Sequence, residues 1–352
     1  PRSTLFPYTT LSRSPAGPLY QIGGITKDGW AVGKAKMLED EFTKKAKDAD
    51  VIITSYDDVT RKVIESAPNL KLIAVTRATP VNVDVAAASE RSIPVIYTPG
   101  RNSDCTAEMT IALMLSIARK IPMAYSALKS GEFTADPSYK KVTKKGLKED
   151  MVWDMKPESP YVVFKGKQLK GSTLGIVGYG SVGRRVGKIA RAIGMQLLIY
   201  DPFCCPIDIE DIGIKKVENL EELMSQSDFV TCHLKITPET KKIINKKMID
   251  LMKPTAYFIN ASRGAILDEE AMIAALKNRK IAGAAFDVYA SEPIASNHPY
   301  ITDLDNVVIT PHIAGAAMAV LENHTRQLVE DIIRFTQGKA LLYPAGDRKS
   351  VV

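Results

Sequence analysis

Short apolar runs of strand length alternate with amphipathic segments along most of the chain. In the first third, apolar runs at 51–54, 72–75 and 94–97 are separated by helical patterns at 59–67 and 83–89. Strands that alternate with helices are typical of βαβ units, in which the strands lie parallel and the helices cover the sheet. The pattern therefore predicts a first α/β lobe.

A longer helical pattern follows this lobe. Apolar residues recur at three- and four-residue intervals from an N-cap expected at Ser103 or Asp104 to about Ile117, which gives the helix one buried face. From 131 to 167 the composition changes to lysine and proline, and no period is sustained. We interpret this stretch as a long excursion between domains.

A second alternating series begins at Gly171. It contains six strand candidates with helical patterns between most of them, at 173–177, 196–200, 229–234, 256–260, 282–288 and 307–310. Six strands joined by crossovers describe a doubly wound parallel sheet. A last helix, at about 315–336, is long enough to return to the first lobe.

The patterns predict an α/β protein with two doubly wound parallel-sheet lobes and a cleft between them. One lobe takes residues 15–120 and 316–346, and the other takes residues 121–315. Residues 1–14 and 347–352 show no period and are similar to vector sequence, so they are expected to be non-native. The opening strand of the first lobe has only Leu19–Ile22 as a remnant, which predicts a truncated lobe with an unfilled position in its sheet.

Composition excludes several classes of protein. The chain has 352 residues, 45% hydrophobic residues and a formal charge of +7, and no apolar run approaches the roughly 20 residues of a membrane span. The basic residues are spread along the chain and form no stripe with aromatic residues, which argues against a nucleic-acid partner. Four cysteines without C-x-x-C spacing indicate neither a zinc site nor a disulfide framework, and they fit a cytoplasmic location.

A glycine-rich turn carries the first chemical signal. The apolar run at 173–177 leads directly into a G-x-G-x-x-G pattern made by Gly178, Gly180 and Gly183, and a helix follows at once. In a dinucleotide site these glycines allow a tight turn, a close approach to the pyrophosphate and close packing of helix on strand. The helix N-terminus then presents N–H groups to the phosphates.

An acidic residue completes this pattern. Asp201 ends the second strand of the series, where its carboxylate can accept hydrogen bonds from the adenosine ribose. The same charge repels a 2′-phosphate, so the sequence predicts NAD as the cofactor rather than NADP. A glycine turn beside a surface aspartate is the alternative, and the complete strand–turn–helix–strand context argues against it.

Three further residues follow late strands of the second lobe, where ligands bind in open α/β sheets. Arg263 could bind the carboxylate and carbonyl oxygens of a 2-oxo acid, and His312 could protonate the oxygen. Glu292 could hold the imidazole and favour its protonated form. Each residue taken singly is more often structural, but together they favour hydride transfer between the cofactor and a small 2-oxo or 2-hydroxy acid.

The motifs together resemble the D-isomer-specific 2-hydroxyacid dehydrogenase family over most of residues 51–337. The resemblance rests on VNVD at 81–84, YTPGRN at 97–102, the glycine turn at 175–183, HLKITPET at 233–240, NASRG at 260–264, FDV at 286–288, Glu292-Pro293 and TPHIAG at 310–315.

The resemblance implies a Rossmann NAD-binding domain and a smaller, flavodoxin-like substrate domain, with Arg263, Glu292 and His312 as the catalytic residues. It also implies that further residues line the cofactor site and that the chain forms a homodimer through the second lobe. The implied lining residues are Ser181, Val182, Leu234, Ala261 and Asp287, with Asp287 near the nicotinamide amide and His233 on the cofactor-side loop.

The chain departs from the family before its Asn-Val-Asp motif. Many members have a Gly-x-Gly turn there that presents backbone N–H groups to the substrate carboxylate, whereas this chain has Arg77, Ala78, Thr79 and Pro80. Glyoxylate, hydroxypyruvate, D-lactate and sugar-acid phosphates stay open as substrates. Formate oxidation ranks below them because it has no oxygen to protonate. An NAD-sensing interaction protein similar to a co-repressor is the alternative from another class.

Overall fold

The chain forms two compact α/β units in a computed structural model that describes residues 19–21, 37–134, 156–204 and 214–346. The first unit combines the chain up to Asn102 with the chain from Ala316 onward. The second unit spans Ser103–Gly315. The ends that the sequence predicts to be non-native lie outside the described residues.

The first unit opens with a strand and continues as three helix–strand repeats. Its elements up to residue 102 are β1 (Leu19–Gln21), α1 (Glu39–Ala46), β2 (Val51–Thr54), α2 (Arg61–Ser66), β3 (Leu72–Val75), α3 (Val85–Glu90) and β4 (Val95–Tyr97). Because apolar residues fill consecutive strand positions, both faces of this sheet can be buried. Ile52 and Ile73 face the core formed with α1 and α2, whereas Val51 and Leu72 face the opposite side.

The second unit is larger: its described part opens with helices and, from β5 onward, mostly alternates strands with helices. Its elements are α4 (Ser103–Ala118), α5 (Ile121–Lys129), α6 (Pro160–Val163), β5 (Thr173–Val177), α7 (Ser181–Ile193), β6 (Gln196–Tyr200), β7 (Ile214–Lys216), α8 (Leu220–Gln226), β8 (Phe229–Cys232), α9 (Lys246–Asp250), β9 (Tyr257–Asn260), α10 (Glu269–Lys277), β10 (Gly283–Phe286), α11 (Pro299–Thr302) and β11 (Val307–Ile309).

The chain then returns to the first unit through α12 (Ala319–Thr336) and β12 (Pro344–Ala345). Leu328 of α12 packs on the face of the sheet that carries Val51 and Leu72. The buried carboxylate of Asp331 accepts the backbone N–H groups of Leu342 and Tyr343 at 2.7 and 2.8 Å. These bonds fix the chain just before β12, which pairs antiparallel with β4.

The two sheets follow the predicted topology. The first has the order β1-β2-β3-β4-β12 and is parallel except for β12. The second has the order β11-β10-β9-β8-β5-β6-β7 and is parallel throughout. Strand order reverses between β5 and β8, and in doubly wound sheets the carboxyl ends at such a switch point are where ligands bind.

Two helical layers cover the second sheet and form its core. Phe229, Phe258 and Phe286 are fully buried on successive strands β8, β9 and β10. Helix α4 packs against α7 and against β9, β10 and β11. The predicted boundary at residue 120 is therefore wrong for this helix, because its apolar face is buried on the second sheet rather than on the first.

Two other expectations differ from the structure. The opening strand is present as β1, which pairs in parallel register with β2, so the sheet position that was expected to be unfilled is occupied. The edge strands β7 and β12 were not predicted, since IKK at 214–216 and PA at 344–345 lack an apolar run.

Among the described helices, none has by itself the length and apolar composition of a membrane span. Helices α4 and α5 meet that criterion only when taken together, and the chain bends by 63° between them.

Candidate active site

The glycine-rich turn joins β5 to α7 at the switch point. Gly178 has φ +91°, a conformation that side chains other than glycine rarely adopt, and a Cβ there would lie 2.8 Å from the carbonyl oxygen of His233. A Cβ on Gly183 would lie 2.2 Å from the carbonyl oxygen of Gly178, so the first turn of α7 packs directly on the strand end. Two of the three glycines are thus required by the protein's own packing.

Gly180 differs from the other two glycines. No described atom lies within 4 Å of a Cβ built at Gly180, so its Cα faces open space beside the first N–H groups of α7. A backbone that is bare toward open space and lies at a helix N-terminus suits the approach of a phosphate. This turn therefore fits the pyrophosphate of a dinucleotide.

Asp201 follows β6 and binds the same turn. One carboxylate oxygen accepts the N–H of Tyr179 at 2.7 Å, and the other accepts the N–H of Phe203 at 2.9 Å. Each oxygen retains a second lone pair, so the carboxylate can also accept a ribose hydroxyl. Asp201 therefore both shapes the turn and places a negative charge where an adenosine ribose is expected.

The other predicted cofactor residues surround this turn or follow neighbouring strands. Ser181 begins α7, and its hydroxyl lies 2.7 Å from that of Ser103 and 2.9 Å from Nη1 of Arg185. Val182 is half-buried in the next position. Leu234 follows β8, and its Cδ2 atom would lie 2.8 Å from a Cβ on Gly178. Ala261 follows β9 and is buried.

His312 and Glu292 are in contact, as the sequence predicted. Nδ1 of His312 lies 2.6 Å from Oε2 of Glu292, and both side chains are partly exposed. The second carboxylate oxygen of Glu292 accepts the N–H of Tyr289 at 3.1 Å. Because Nδ1 faces the carboxylate, Nε2 is the ring atom that can exchange a proton with a ligand.

The turn that carries His312 is held by a buried aspartate. His312 has φ +56°, which is uncommon for a residue with a side chain. Asp287 is fully buried and accepts three hydrogen bonds from this turn: the hydroxyl of Thr310 at 2.6 Å and the N–H groups of Ile313 and Ala314, each at 2.8 Å. The described contacts thus make Asp287 an anchor for the His312 turn, and a contact with a nicotinamide stays a prediction.

Arg263 lies on the loop after β9 and is exposed. Its Nη1 donates to the carbonyl oxygen of Ser262 at 2.6 Å. The fully buried Asn260 fixes this loop, because its Nδ2 donates to the carbonyl oxygen of Arg263 at 2.9 Å and its Oδ1 accepts the N–H of Ser262 at 3.0 Å. The main chain beside the guanidinium is therefore rigidly placed.

The loops of Arg263 and Glu292 touch each other. A Cβ on Gly264 would lie 1.9 Å from the carbonyl oxygen of Tyr289, so only glycine permits this packing. The hydroxyl of Tyr289 in turn donates to the carbonyl oxygen of Thr310 at 2.8 Å. Tyr289 thus links the three loops that carry the predicted catalytic residues, a role for which we found no sequence signal.

His233 is a fourth residue near this edge. Its Nε2 lies 3.2 Å from Oγ1 of Thr231, and burial lowers the pKa of the ring to about 3. A ring with that pKa is neutral at physiological pH, in keeping with the interpretation of His233 as a loop residue and not a second acid.

The first unit contains Arg77, which stands where the sequence departs from the expected Gly-x-Gly turn. The guanidinium carbon of Arg77 lies 5.1 Å from the centre of the Tyr56 ring, and the Arg77 carbonyl oxygen accepts the N–H and the hydroxyl of Thr98 at 2.9 and 3.1 Å. The loop after β3 thus presents a cation stacked on an aromatic ring.

No group of three or more histidine, cysteine or acidic residues suited to a metal ion occurs in the described part of the chain.

Comparisons with known proteins identify the family of the chain. A family model described as D-isomer specific 2-hydroxyacid dehydrogenase, NAD binding domain, matches residues 111–314. The chain is 36% identical to the glyoxylate reductase of Thermococcus litoralis, over 90% of this chain and 87% of that protein. It is 40% identical to the D-3-phosphoglycerate dehydrogenase of Methanocaldococcus jannaschii over 85% of this chain, which spans about half, 52%, of that relative.

A solved structure shows the same architecture. The apo form of D-lactate dehydrogenase from Escherichia coli superposes with a TM-score of 0.68 at 27% identity, covering 88% of this chain and 90% of that one. These relatives are dehydrogenases and reductases, and they give no support to the co-repressor-like alternative. The chain belongs to the D-isomer specific 2-hydroxyacid dehydrogenase family of NAD-dependent oxidoreductases.

Proposed function

We propose that the chain reduces a small 2-oxo acid to the D-2-hydroxy acid, with His312 as the proton donor, Glu292 as its partner and Arg263 as the substrate-binding cation. The contact of 2.6 Å between Nδ1 of His312 and Oε2 of Glu292 carries this proposal. A carboxylate at that distance holds the ring in one orientation with Nε2 on the side away from Glu292, as a proton donor requires.

Proton transfer is the step that these residues perform. Protonated His312 donates from Nε2 to the carbonyl oxygen of the substrate as that oxygen gains negative charge, and the reverse reaction returns the proton to Nε2. Glu292 keeps the ring in one orientation because its other oxygen is fixed by the N–H of Tyr289. The cofactor, when bound, supplies the hydride that the carbonyl carbon accepts.

Arg263 is suited to hold the acid group. A guanidinium offers parallel N–H donors that match the two oxygens of a carboxylate. Asn260 and Gly264 hold the main chain on either side of Arg263, so this cation is attached to a rigid loop. We assign to it the binding of the substrate carboxylate and the polarisation of the adjacent carbonyl group.

The proposed cofactor-binding residues lie in the glycine-rich turn and at the ends of the neighbouring strands. We propose that the N–H groups at Gly180, Ser181 and Val182 hold the pyrophosphate and that Asp201 accepts the ribose hydroxyls. Gly178 and Gly183 shape the turn, while Leu234, Ala261 and Asp287 lie along the ends of β8, β9 and β10. The carboxylate of Asp201 favours NADH over NADPH, because a 2′-phosphate would meet its negative charge.

The substrate is expected to be a small 2-oxo acid. Glyoxylate comes first, because the glyoxylate reductase relative matches over most of both chains. Pyruvate and phosphohydroxypyruvate follow from the names of the other relatives. The direct test measures the reduction of glyoxylate, pyruvate, hydroxypyruvate and phosphohydroxypyruvate, each with NADH and with NADPH. Failure of every acid with either cofactor would contradict the proposal.

Assembly and location complete the proposal. We expect a homodimer formed through the second unit, since α5 exposes three apolar side chains at helical spacing, Ile121, Tyr125 and Leu128. Light scattering on the wild type and on Tyr125→Glu tests this, and a wild-type monomer would contradict it. We also propose a cytoplasmic location, which the small number of cysteines and their lack of C-x-x-C spacing support.

A further inference from the structure

A second carboxylate–imidazole pair lies beside the first in the same unit. Oε2 of Glu269, the first residue of α10, lies 3.5 Å from Nε2 of His298, the residue that precedes α11. Their side chains are 17% and 18% exposed, so the pair is far less accessible than the pair of His312 and Glu292, at 47% and 35%. The proposed chemistry gives neither Glu269 nor His298 a role.

The hydrogen bonds of His298 fix its tautomer. Nδ1 of His298 lies 3.2 Å from the N–H of Tyr300 and accepts from it, as an N-cap of α11. Because a backbone N–H can only donate, Nδ1 carries a lone pair, and the proton of the neutral ring is on Nε2. That proton faces Glu269. The ring therefore turns its Nε2–H toward one oxygen of this carboxylate, at an Nε2–Oε2 distance of 3.5 Å.

The other oxygen of Glu269 reaches the loop of the proposed catalytic glutamate. Oε1 of Glu269 accepts the N–H of Ala290 at 3.3 Å. Ala290 lies between Tyr289, whose N–H binds Glu292, and Glu292 itself. On the other side, Gly264 packs directly against the peptide that joins Tyr289 to Ala290. The Ala290 peptide is thus held between the loop of Arg263 and the carboxylate of Glu269.

We propose that Glu269, oriented by His298, is a positioning residue that holds the loop of residues 289–292 where Glu292 meets His312. The inference rests on the proposed role of Glu292 and His312 in proton transfer. Loss of the Glu269 carboxylate removes the acceptor for Ala290 N–H and lets this loop shift. A shift of about 1 Å at reacting groups costs on the order of 100-fold in rate.

Three single variants give the first test. Glu269→Ala is expected to lower kcat by roughly 10- to 100-fold, with the Kd for NADH unchanged. Glu269→Gln keeps an oxygen that can accept from Ala290 and is expected to recover part of the loss. Glu270→Gln is the matched control, because this neighbour has the same charge on the same helix turn but is exposed, and it should retain wild-type activity.

A double-mutant cycle separates positioning from general stability. If Glu269 acts through Glu292, then Glu269→Ala adds almost no loss of kcat in a Glu292→Gln background, and the pH profile of kcat/KM for the Glu269→Ala variant resembles that of Glu292→Gln. Equal losses in both backgrounds would overturn the inference. Should Glu269→Ala not fold, the same cycle is run with Glu269→Gln and with His298→Asn.

The two proposals fail in different ways. Wild-type activity in Glu292→Gln would remove the proposed role of Glu292, and the positioning role would fall with it. A large effect of Glu292→Gln together with wild-type kcat in Glu269→Ala would overturn the positioning role alone. The melting temperature of each variant shows whether a loss of rate reflects unfolding.

Discussion

The carboxylate of Asp287 holds the backbone turn at His312. It accepts hydrogen bonds from the hydroxyl of Thr310, which precedes the histidine, and from the N–H groups of Ile313 and Ala314, which follow it. The ring is therefore positioned by a group that is itself fully buried. Glu292 then orients the imidazole from the other side through Nδ1. The orientation of the proposed proton donor thus depends on a buried anchor of its main-chain turn and on a partly exposed side-chain partner.

Replacing Asp287 should damage both stability and activity. Asp287→Ala leaves the hydroxyl of Thr310 and the N–H groups of Ile313 and Ala314 without this acceptor, and the N–H of Ala314 is buried. A buried donor left unsatisfied costs about 1–3 kcal/mol, so we expect the free energy of unfolding in urea to fall by about that amount, with a loss of kcat in the remaining folded protein. Asp305→Ala is the control, because that carboxylate is 78% exposed. Unchanged stability and kcat in Asp287→Ala would show that the anchor has no importance.

Removing the proposed acid should affect turnover more than cofactor binding. His312→Ala is expected to lower kcat by roughly 10²–10⁴, the usual contribution of general acid catalysis. The Kd for NADH, followed by fluorescence, should change little, since the glycine turn belongs to a different loop. Normal turnover in this variant would exclude His312 as the acid.

The sequence singled out the residues of the candidate site but not the residues that hold them in place. The strands β5 and β6 begin and end where their apolar runs do, because a fully buried parallel strand needs apolar side chains on both faces. Arg263, Glu292 and His312 were singled out because ligands bind beyond the strand ends in this topology, and their catalytic role stays a prediction. The anchoring by Asp287, the link through Tyr289 and the pair of Glu269 with His298 depend on contacts between distant loops, which no local pattern encodes.

The placement of α4 shows the same limit. Its period predicted a helix with a buried face, and Ser103–Ala118 is helical, but the period does not say which sheet the face meets. Leu113 and Met114 are buried against the second unit, so the predicted domain boundary lay too far along the chain. Amphipathic spacing shows that one face of a helix is buried, but which element buries that face depends on the tertiary packing.

Two glycines allow cofactor binding and loop packing to be tested separately. Gly180→Ala should leave the melting temperature unchanged, because no described atom lies within 4 Å of the new Cβ, yet weaken NADH binding by crowding the pyrophosphate. Gly264→Ala forces a Cβ to within 1.9 Å of the Tyr289 carbonyl oxygen and should lower both stability and kcat. Tight NADH binding by Gly180→Ala would place the pyrophosphate elsewhere.

Asp201 should determine the choice of cofactor. Asp201→Asn keeps an oxygen for the N–H of Tyr179 or Phe203 but removes the negative charge that repels a 2′-phosphate. We expect the ratio of kcat/KM for NADH over NADPH to fall, mainly through a lower KM for NADPH. The wild type measured in the same assay is the reference, and a wild-type preference for NADPH would remove Asp201 from this role.

His324 should make stability depend on pH in a predictable direction. The ring is 3% exposed on α12, and burial together with the Arg101 guanidinium, 3.3 Å from Nδ1, lowers its pKa to about 4. An unfolded histidine has a pKa near 6.5, so the unfolded chain takes up a proton below that pH, whereas the folded ring does so only near pH 4. Stability from this residue is therefore complete above pH 6.5 and is lost as the pH falls toward 4.

The size of this loss can be measured by difference. A pKa displaced from about 6.5 to about 4 corresponds to about 2 kcal/mol lost by pH 5 and about 3 kcal/mol when the loss is complete. His324→Gln retains an acceptor for Arg101 but does not titrate, so urea unfolding of both proteins between pH 7.5 and pH 5 isolates the contribution. All other titrating groups are shared and cancel in the difference. Parallel stability curves for the two proteins would mean that His324 takes up its proton equally well in the folded and unfolded chains.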